Sequence, residues 1–240
     1  MDAKVGDKVI TARMGKPVEI NALWYNTLKI MAAFAANFGG LAEEAKYDDL
    51  ARCAYQAFNE VFWNAEGGYL YDNISSEGPD PSLRPNQIFA ISLSFPVLEP
   101  ERWRPVVDKV SEHLLTPYGL RTLSPDHPNY RGQYRGDLVA RDHAYHQGTV
   151  WPWLLGHYLV AYGKTYGTSP ATISRIIEQL EPLRDHLRWA GLGSISEIFD
   201  GDPPHEPNGC IAQAWSVAEV LRALVEIAHS GSRSEVSTRK

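Results

Sequence analysis

Four carboxylates fall within residues 193–210, "GSISEIFDGDPPHEPNGC": Glu197, Asp200, Asp202 and Glu206. Their chemistry depends on their neighbours. Ile195, Ile198 and Phe199 flank Glu197, so apolar packing can anchor its backbone while the carboxylate faces a cavity and moves a proton. An acidic loop on its own reads as a solvated surface. Phe199 and the downstream "QAWS", which carries Trp215, shift the reading towards a cavity.

A second segment, "RDHAYHQGTVWPWLLG", combines hydrogen-bonding groups with broad apolar faces in Tyr145, His146, Gln147, Trp151 and Trp153. That mixture suits carbohydrate, whose hydroxyls need polar partners and whose C–H faces stack on aromatic rings. A tryptophan on a helix is also ordinary core, and at least one of Trp151 and Trp153 is expected to be buried. His143 and His146 have no third ligand nearby and do not form the HExxH pattern, so no metal site is expected. In "SLRPNQIFAIS", Arg84, Asn86 and Gln87 open a helix, where they either cap it towards solvent or face a site. Near the start, Glu19, Asn21, Trp24 and Tyr25 form another polar and aromatic cluster on an opening helix, whereas Asp2 by itself is an ordinary terminal residue.

The elements that must position these groups are mostly helical. In "VEINALWYNTLKIMAAFAANFG" the apolar residues recur at three- and four-residue steps and stop at Gly39-Gly40. "LAEEAKYDDLARCAYQAFNEVFW" repeats the pattern, so the two segments predict a helical hairpin. "NAEGGYLYDNI" reads as a small β-excursion, and strands are otherwise expected to be incidental. Further helices are predicted at "PNQIFAISLSF", "EPERWRPVVDKVSEHLL", "HQGTVWPWLLGHYLVAYGKTYG", "SPATISRIIEQLEPLRDHLRWA" and "CIAQAWSVAEVLRALVEIAHS", about seven in all. Ser169-Pro170 marks one start, a capping serine before a proline whose missing amide costs nothing there. The connection from Thr116 to Tyr145 has no comparable period, and its aromatic and arginine content argues for a site-building loop. These features predict an all-α domain over residues 1–229, with a flexible tail over 230–240. Helical hairpins around an axis, with long loops gathered at one end, are the preferred arrangement; an irregular bundle is the alternative.

The 240 residues carry a net charge of −6 and 44% apolar side chains, enough for a sizeable core and no basic footprint for nucleic acid. No apolar run reaches membrane-spanning length, so no membrane partner is expected. Two distant cysteines, Cys53 and Cys210, and the lack of a leader pattern point to a cytoplasmic protein.

"MDAKVGDKVITARMGKPVEINALWYN", "RPNQIFAISL", "LLTPYGLRTLSP", "AYHQGTVWPWLLG" and "SEIFDGDPPHEPNGCIAQAWSVAEVLRAL" together resemble the C-terminal glucosidase domain of bacterial and archaeal glycogen debranching enzymes, the amylo-α-1,6-glucosidase type. The resemblance is collinear over nearly the whole chain; Ala12 departs from it, standing where that family commonly has a proline. It implies an (α/α)6 toroid, here its C-terminal part, that hydrolyses α-1,6-linked glucose at glycogen branch points with inversion and no metal or other cofactor. It further implies Asp2 in "MDAK" as general acid and Glu197 in "SEIFD" as general base, about 6.5–9.5 Å apart to admit a water. Trp24, Tyr25, Arg84, Asn86, Gln87, Tyr145, His146, Gln147, Trp151, Asp200 and Trp215 are the expected substrate-binding residues. The implied partners are glycogen or a branched α-glucan, with the missing N-terminal part of such an enzyme, or a second copy, on the open edges. "SEIFD" also resembles the base segment of glucoamylases, so a glucoamylase-like or trehalase-like hydrolase and a non-catalytic glucan-binding remnant stay open.

Overall fold

A computed structural model describes residues 3–237, so Asp2 lies outside the described residues. The chain opens with a hairpin of β1 (Ala3–Val5) and β2 (Lys8–Thr11), followed by β3 (Lys16–Pro17) and the antiparallel pair α1 (Val18–Phe34) and α2 (Leu41–Val61). A π-helical turn over Ala35–Gly39 ends the first helix, and Gly40, at φ +99°, turns the chain. The predicted β-excursion is present as β4 (Trp63–Asn64) and β5 (Tyr69–Leu70). It is followed by β6 (Asn73–Ser75) and β7 (Gly78–Asp80), which extend β3 into a three-stranded sheet.

"PNQIFAISLSF" forms a 3-10 turn over Pro85–Ile88 and only one helical turn, α3 (Phe89–Ser92), instead of a full helix. After α4 (Trp103–His113) come β8 (Leu115–Thr116) and β9 (Gly119–Arg121). The long connection then contains a helix the sequence pattern did not predict, α5 (Leu138–Tyr145), capped by Asp137 accepting from the Ala140 amide. β10 (Val150–Trp151) leads into α6 (Trp153–Tyr166), and α7 (Pro170–Trp189) starts as predicted, with the Ser169 side chain accepting from the Thr172 amide. β11 (Ile198–Phe199) and β12 (Pro207–Asn208) precede α8 (Ala214–Ser237), which runs past residue 230 into the segment read as tail. The described residues thus hold eight α-helices, and the architecture is of the (α/α)6 type.

The core is organised on α6. Leu154, Leu155, Tyr158, Leu159, Val160 and Ala161 are all buried, because α3, α4, α7 and α8 pack around this one helix. A helix apolar on every side is stable only when enclosed in this way. Gly156 permits close approach of α8: a Cβ there would collide with the Glu219 carbonyl. By contrast α1 is apolar on two sides. Val18, Ala22, Leu28 and Ala32 are buried, while Ile20, Trp24 and Phe34 are exposed, as is Phe38, by 89%, in the π-helical turn that follows.

Strands are less incidental than their length suggests. β12, β11, β10, β9 and β8 form a five-stranded antiparallel sheet from pieces of two or three residues. Such short pieces show no period-2 pattern in the sequence. This sheet brings Trp151, Arg121 and the ends of the acidic loop together from distant segments of the chain.

Candidate active site

Glu197 sits immediately before β11, whose Ile198 and Phe199 are fully buried. Phe199 stacks on Tyr118 at 4.4 Å with the planes 4° apart, which fixes the strand and therefore the start of the carboxylate side chain. The two carboxylate oxygens have separate donors. Tyr145, the last residue of α5, donates its hydroxyl to Glu197 Oε1 at 2.5 Å, and the Cys210 amide donates to Oε2 at 2.8 Å. The Glu197 amide in turn donates to the Cys210 carbonyl at 2.9 Å. Burial pushes the Glu197 carboxyl up, but the Tyr145 and Cys210 hydrogen bonds outweigh it and leave its pKa below the usual glutamate value. Burial and the Glu197 contact raise the Tyr145 phenol, so it remains a donor. A half-buried carboxylate, ionised and held at both oxygens, is equipped to accept a proton.

The Tyr145 ring connects this carboxylate to a pocket. It meets Trp151 and His146 edge-on, each at 4.8 Å, while the Tyr145 carbonyl accepts from Trp151 Nε1 at 3.1 Å and Thr149 Oγ1 at 2.7 Å. Trp151 and Trp153 both face Trp215, at 5.8 Å edge-on and 5.4 Å stacked. These three indoles, with His146, Arg13, Arg84, Asn86 and the hydroxyl-bearing Thr11 and Thr122, line a pocket with about 520 Å³ of empty volume, part of it open to solvent. Burial, with the nearby Arg84 charge, lowers His146 to about 4, so its ring is neutral on the pocket wall at neutral pH.

An ion cluster supports the polar side of the pocket. Arg13 donates from Nε to Asp72 at 2.6 Å and grips both Glu19 oxygens, at 2.6 and 2.7 Å. Asp72, 2% exposed, also accepts from Asn86 Nδ2 at 3.1 Å. Burial opposes the Arg13 charge, but Glu19 and Asp72 more than offset it and raise its pKa above the ordinary arginine value. Arg84 is held through Nη1 on the His146 carbonyl (2.8 Å) and the Thr122 carbonyl (3.1 Å), and through Nη2 on Gln147 Oε1 (2.7 Å). Its buried Nε makes no hydrogen bond among the described residues and lies 3.7 Å from Asp72.

The sequence-derived candidates therefore separate. Arg84, Asn86, His146, Trp151 and Trp215 meet on the pocket wall, and Glu197, outside that lining, accepts from Tyr145, whose ring abuts Trp151 and His146. Gln147 orients Arg84. Gln87, 1% exposed, has both ends of its amide used internally, on the Leu70 amide and the Arg84 carbonyl. Asp200 is buried and accepts from the Tyr134 amide at 2.8 Å and Asn208 Nδ2 at 3.1 Å, which pins the long connection to the acidic loop. Trp24 is 53% exposed on α1, and Tyr25 packs on Tyr55 of α2 at 5.8 Å; neither lines the pocket. Sequence reasoning missed Arg13, Asp72, Thr11 and Thr122. Arg13 lies inside the quoted "MDAKVGDKVITARMGKPVEINALWYN", but no spacing rule links it to an aspartate 59 residues away.

The helical scaffold, of the (α/α)6 type, brings its loops together on one buttressed carboxylate and one aromatic pocket. Residues 1–222 match the amylo-alpha-1,6-glucosidase family, and the chain belongs to that family. It is 32% identical over 161 residues to the glycogen debranching enzyme of Saccharomyces cerevisiae, covering 59% of this chain and 10% of that protein. It is 30% identical over 109 residues to the periplasmic trehalase of Salmonella newport, covering 45% of this chain and 19% of that protein. The chain therefore spans a small part of the curated relatives it matches. Among solved structures, an uncharacterized conserved protein from Thermus thermophilus superposes with a TM-score of 0.62 at 15% identity, covering 85% of this chain and 47% of that one. A sialidase superposes with a TM-score of 0.65 at 16% identity, over 83% of this chain and 18% of that one. At such identities the likeness is one of fold alone.

Proposed function

We propose that this chain carries the base side of an inverting α-1,6-glucosidase acting at branch points of glycogen or a related α-glucan, in glycogen breakdown. The observation that carries the proposal is Glu197, kept ionised by two neutral donors and joined through Tyr145 to an indole-lined pocket with polar groups on its other side. In this reading the pocket takes one glucose unit, with indole faces against its C–H surfaces and Arg84 and Asn86 towards its hydroxyls. Glu197 removes a proton from a water as that water attacks the anomeric carbon. Asp2, assigned by the family resemblance, protonates the departing glycosidic oxygen, so the bond breaks with inversion and each proton is accounted for. Family membership and the yeast debranching enzyme support the linkage assigned here.

The trehalase relatives favour a second reading, hydrolysis of trehalose in the same pocket. Glucose release from a limit dextrin, compared with linear maltooligosaccharide and trehalose, separates the two. Release from the limit dextrin alone, abolished in Glu197→Gln, is the expected result; equal turnover by Glu197→Gln would overturn the assignment of the base. The structural neighbour from Thermus thermophilus is about twice as long as the matched region. The proposal accordingly includes further helices, from the rest of such an enzyme or from a second copy, against the exposed face of α1. It also includes a cytoplasmic location, which the free thiols of Cys53 and Cys210 support.

A further inference from the structure

We infer that Tyr145 and Cys210 are paired positioning residues that hold Glu197 from opposite sides, the first through its hydroxyl and the second through its backbone amide. The inference deepens the assignment of Glu197 as base and rests on it for its catalytic meaning, though not for the contact itself.

The geometry is specific. Residues 209 and 210 form a strap over the carboxylate: the Cys210 amide reaches Oε2 at 2.8 Å, and the Glu197 amide returns a bond to the Cys210 carbonyl at 2.9 Å. The strap lies so close that a Cβ on Gly209 would collide with Oε2. On the other side Tyr145 reaches Oε1, and its ring is locked by Trp151, His146 and Tyr134, the last at 5.7 Å. The titratable groups around the carboxylate are thus Tyr145, Tyr134 behind it, and Cys210; Gln213 adds a neutral donor. Among the described residues no ion pair reaches Glu197, so neutral donors alone keep it ionised and leave its remaining lone pairs for water.

One consequence can be read without turnover. The negative charge on Glu197 raises the exposed Cys210 thiol, because a thiolate there would face a like charge. Thiolate is the reactive form, so Cys210 should react slowly while Glu197 is ionised. Cys53, also exposed and free, serves as the internal reference.

The test measures iodoacetamide alkylation of each cysteine by mass spectrometry in the unmodified chain and in Glu197→Gln, at mildly alkaline pH. Removing the unit charge to which the Cys210 amide bonds is expected to speed the Cys210 thiol by up to about fivefold, the factor for one charge about 4 Å away in a water-like medium, with Cys53 unchanged. Equal Cys210 rates would overturn the contact. In parallel, the carboxyl 13C resonance of Glu197, assigned by its loss in Glu197→Gln, is titrated in Tyr145→Phe, which keeps the ring packing and loses only the hydroxyl. Loss of that hydrogen bond should raise the titration midpoint by about one pH unit. The acid limb of kcat/KM on limit dextrin should move up with it, with KM little changed. A midpoint that stays in place would overturn the role of Tyr145, and a raised KM with an unmoved limb would make it a substrate contact instead. If Glu197→Gln retains full turnover while both the alkylation and the NMR shifts appear, the base assignment fails and the positioning contact stands.

Discussion

Gly209→Ala isolates the tightest contact at the site. Gly209 has φ +70°, a conformation that costs an alanine about 1 kcal/mol. The added Cβ would also meet Oε2 of Glu197, with the Glu197 Cβ and Cδ at 3.1 Å, so the carboxylate must swing away. Swinging it breaks the 2.8 Å bond from the Cys210 amide, a hydrogen bond to a charged group contributing about 1.5–3 kcal/mol. The expected loss is therefore about 2.5–4 kcal/mol, the sum of the two contributions. Gly193→Ala is the control, because Gly193 also has a left-handed φ of +95° but nothing within 4 Å of an added Cβ. It should lose only the backbone contribution, about 1 kcal/mol. Urea unfolding of both variants measures the difference, and for a slope of about 3 kcal/mol/M the midpoints should separate by about 0.5–1 M. Adding Glu197→Ala to each variant should remove the excess at 209 and leave the loss at 193 unchanged. Equal losses in the two single variants, or an excess that survives Glu197→Ala, would refute the strap geometry.

Arg13→Met should destabilise the chain by about 3 kcal/mol, since it leaves buried Asp72 without its nearest cation, and urea midpoints would measure it. His157, buried between Phe89 and Trp153, has its pKa lowered to about 4 chiefly by burial, and His146 behaves alike. A histidine whose folded pKa lies below its unfolded value leaves stability intact above the unfolded pKa and removes it as pH falls towards the folded one. Each should therefore cost about 2 kcal/mol between about pH 6.5 and pH 5, and His157→Gln should flatten that slope in denaturant titrations at the two pH values. Trp215→Ala, at a partly exposed indole on the pocket wall, should weaken maltooligosaccharide binding about tenfold by calorimetry with little change in stability. Lysines at Trp24 and Phe34 should lower concentration-dependent mass in light scattering, because they break the exposed apolar side of α1.

Much of the helical scaffold is legible in the sequence. The hairpin of α1 and α2, the Ser169-Pro170 start of α7 and the stop at Gly39-Gly40 depend on local spacing and capping, interactions within a few residues that a linear pattern preserves. The acidic loop and the aromatic run around Trp151 stand out for the same reason, as concentrations of residue types. The short strands do not, since two residues carry no period, and α5 is hidden in a segment whose composition resembles a loop.

Composition and spacing by themselves determined an all-α chain with a carboxylate-rich loop and an aromatic cluster. The tertiary structure alone decided which acid is held for chemistry and which is a fastener: Glu197 and Asp200 lie three residues apart in similar company, yet one is partly open between Tyr145 and Cys210, and the other is buried under Tyr134 and Asn208. It likewise made Gln87 an internal brace and joined Arg13 to Asp72. The physical reason is that a side chain's role depends on its desolvation and on its hydrogen-bond partners, and the deciding ones include Tyr145 for Glu197, Tyr134 for Asp200 and Asp72 for Arg13, 52 to 66 positions away along the chain.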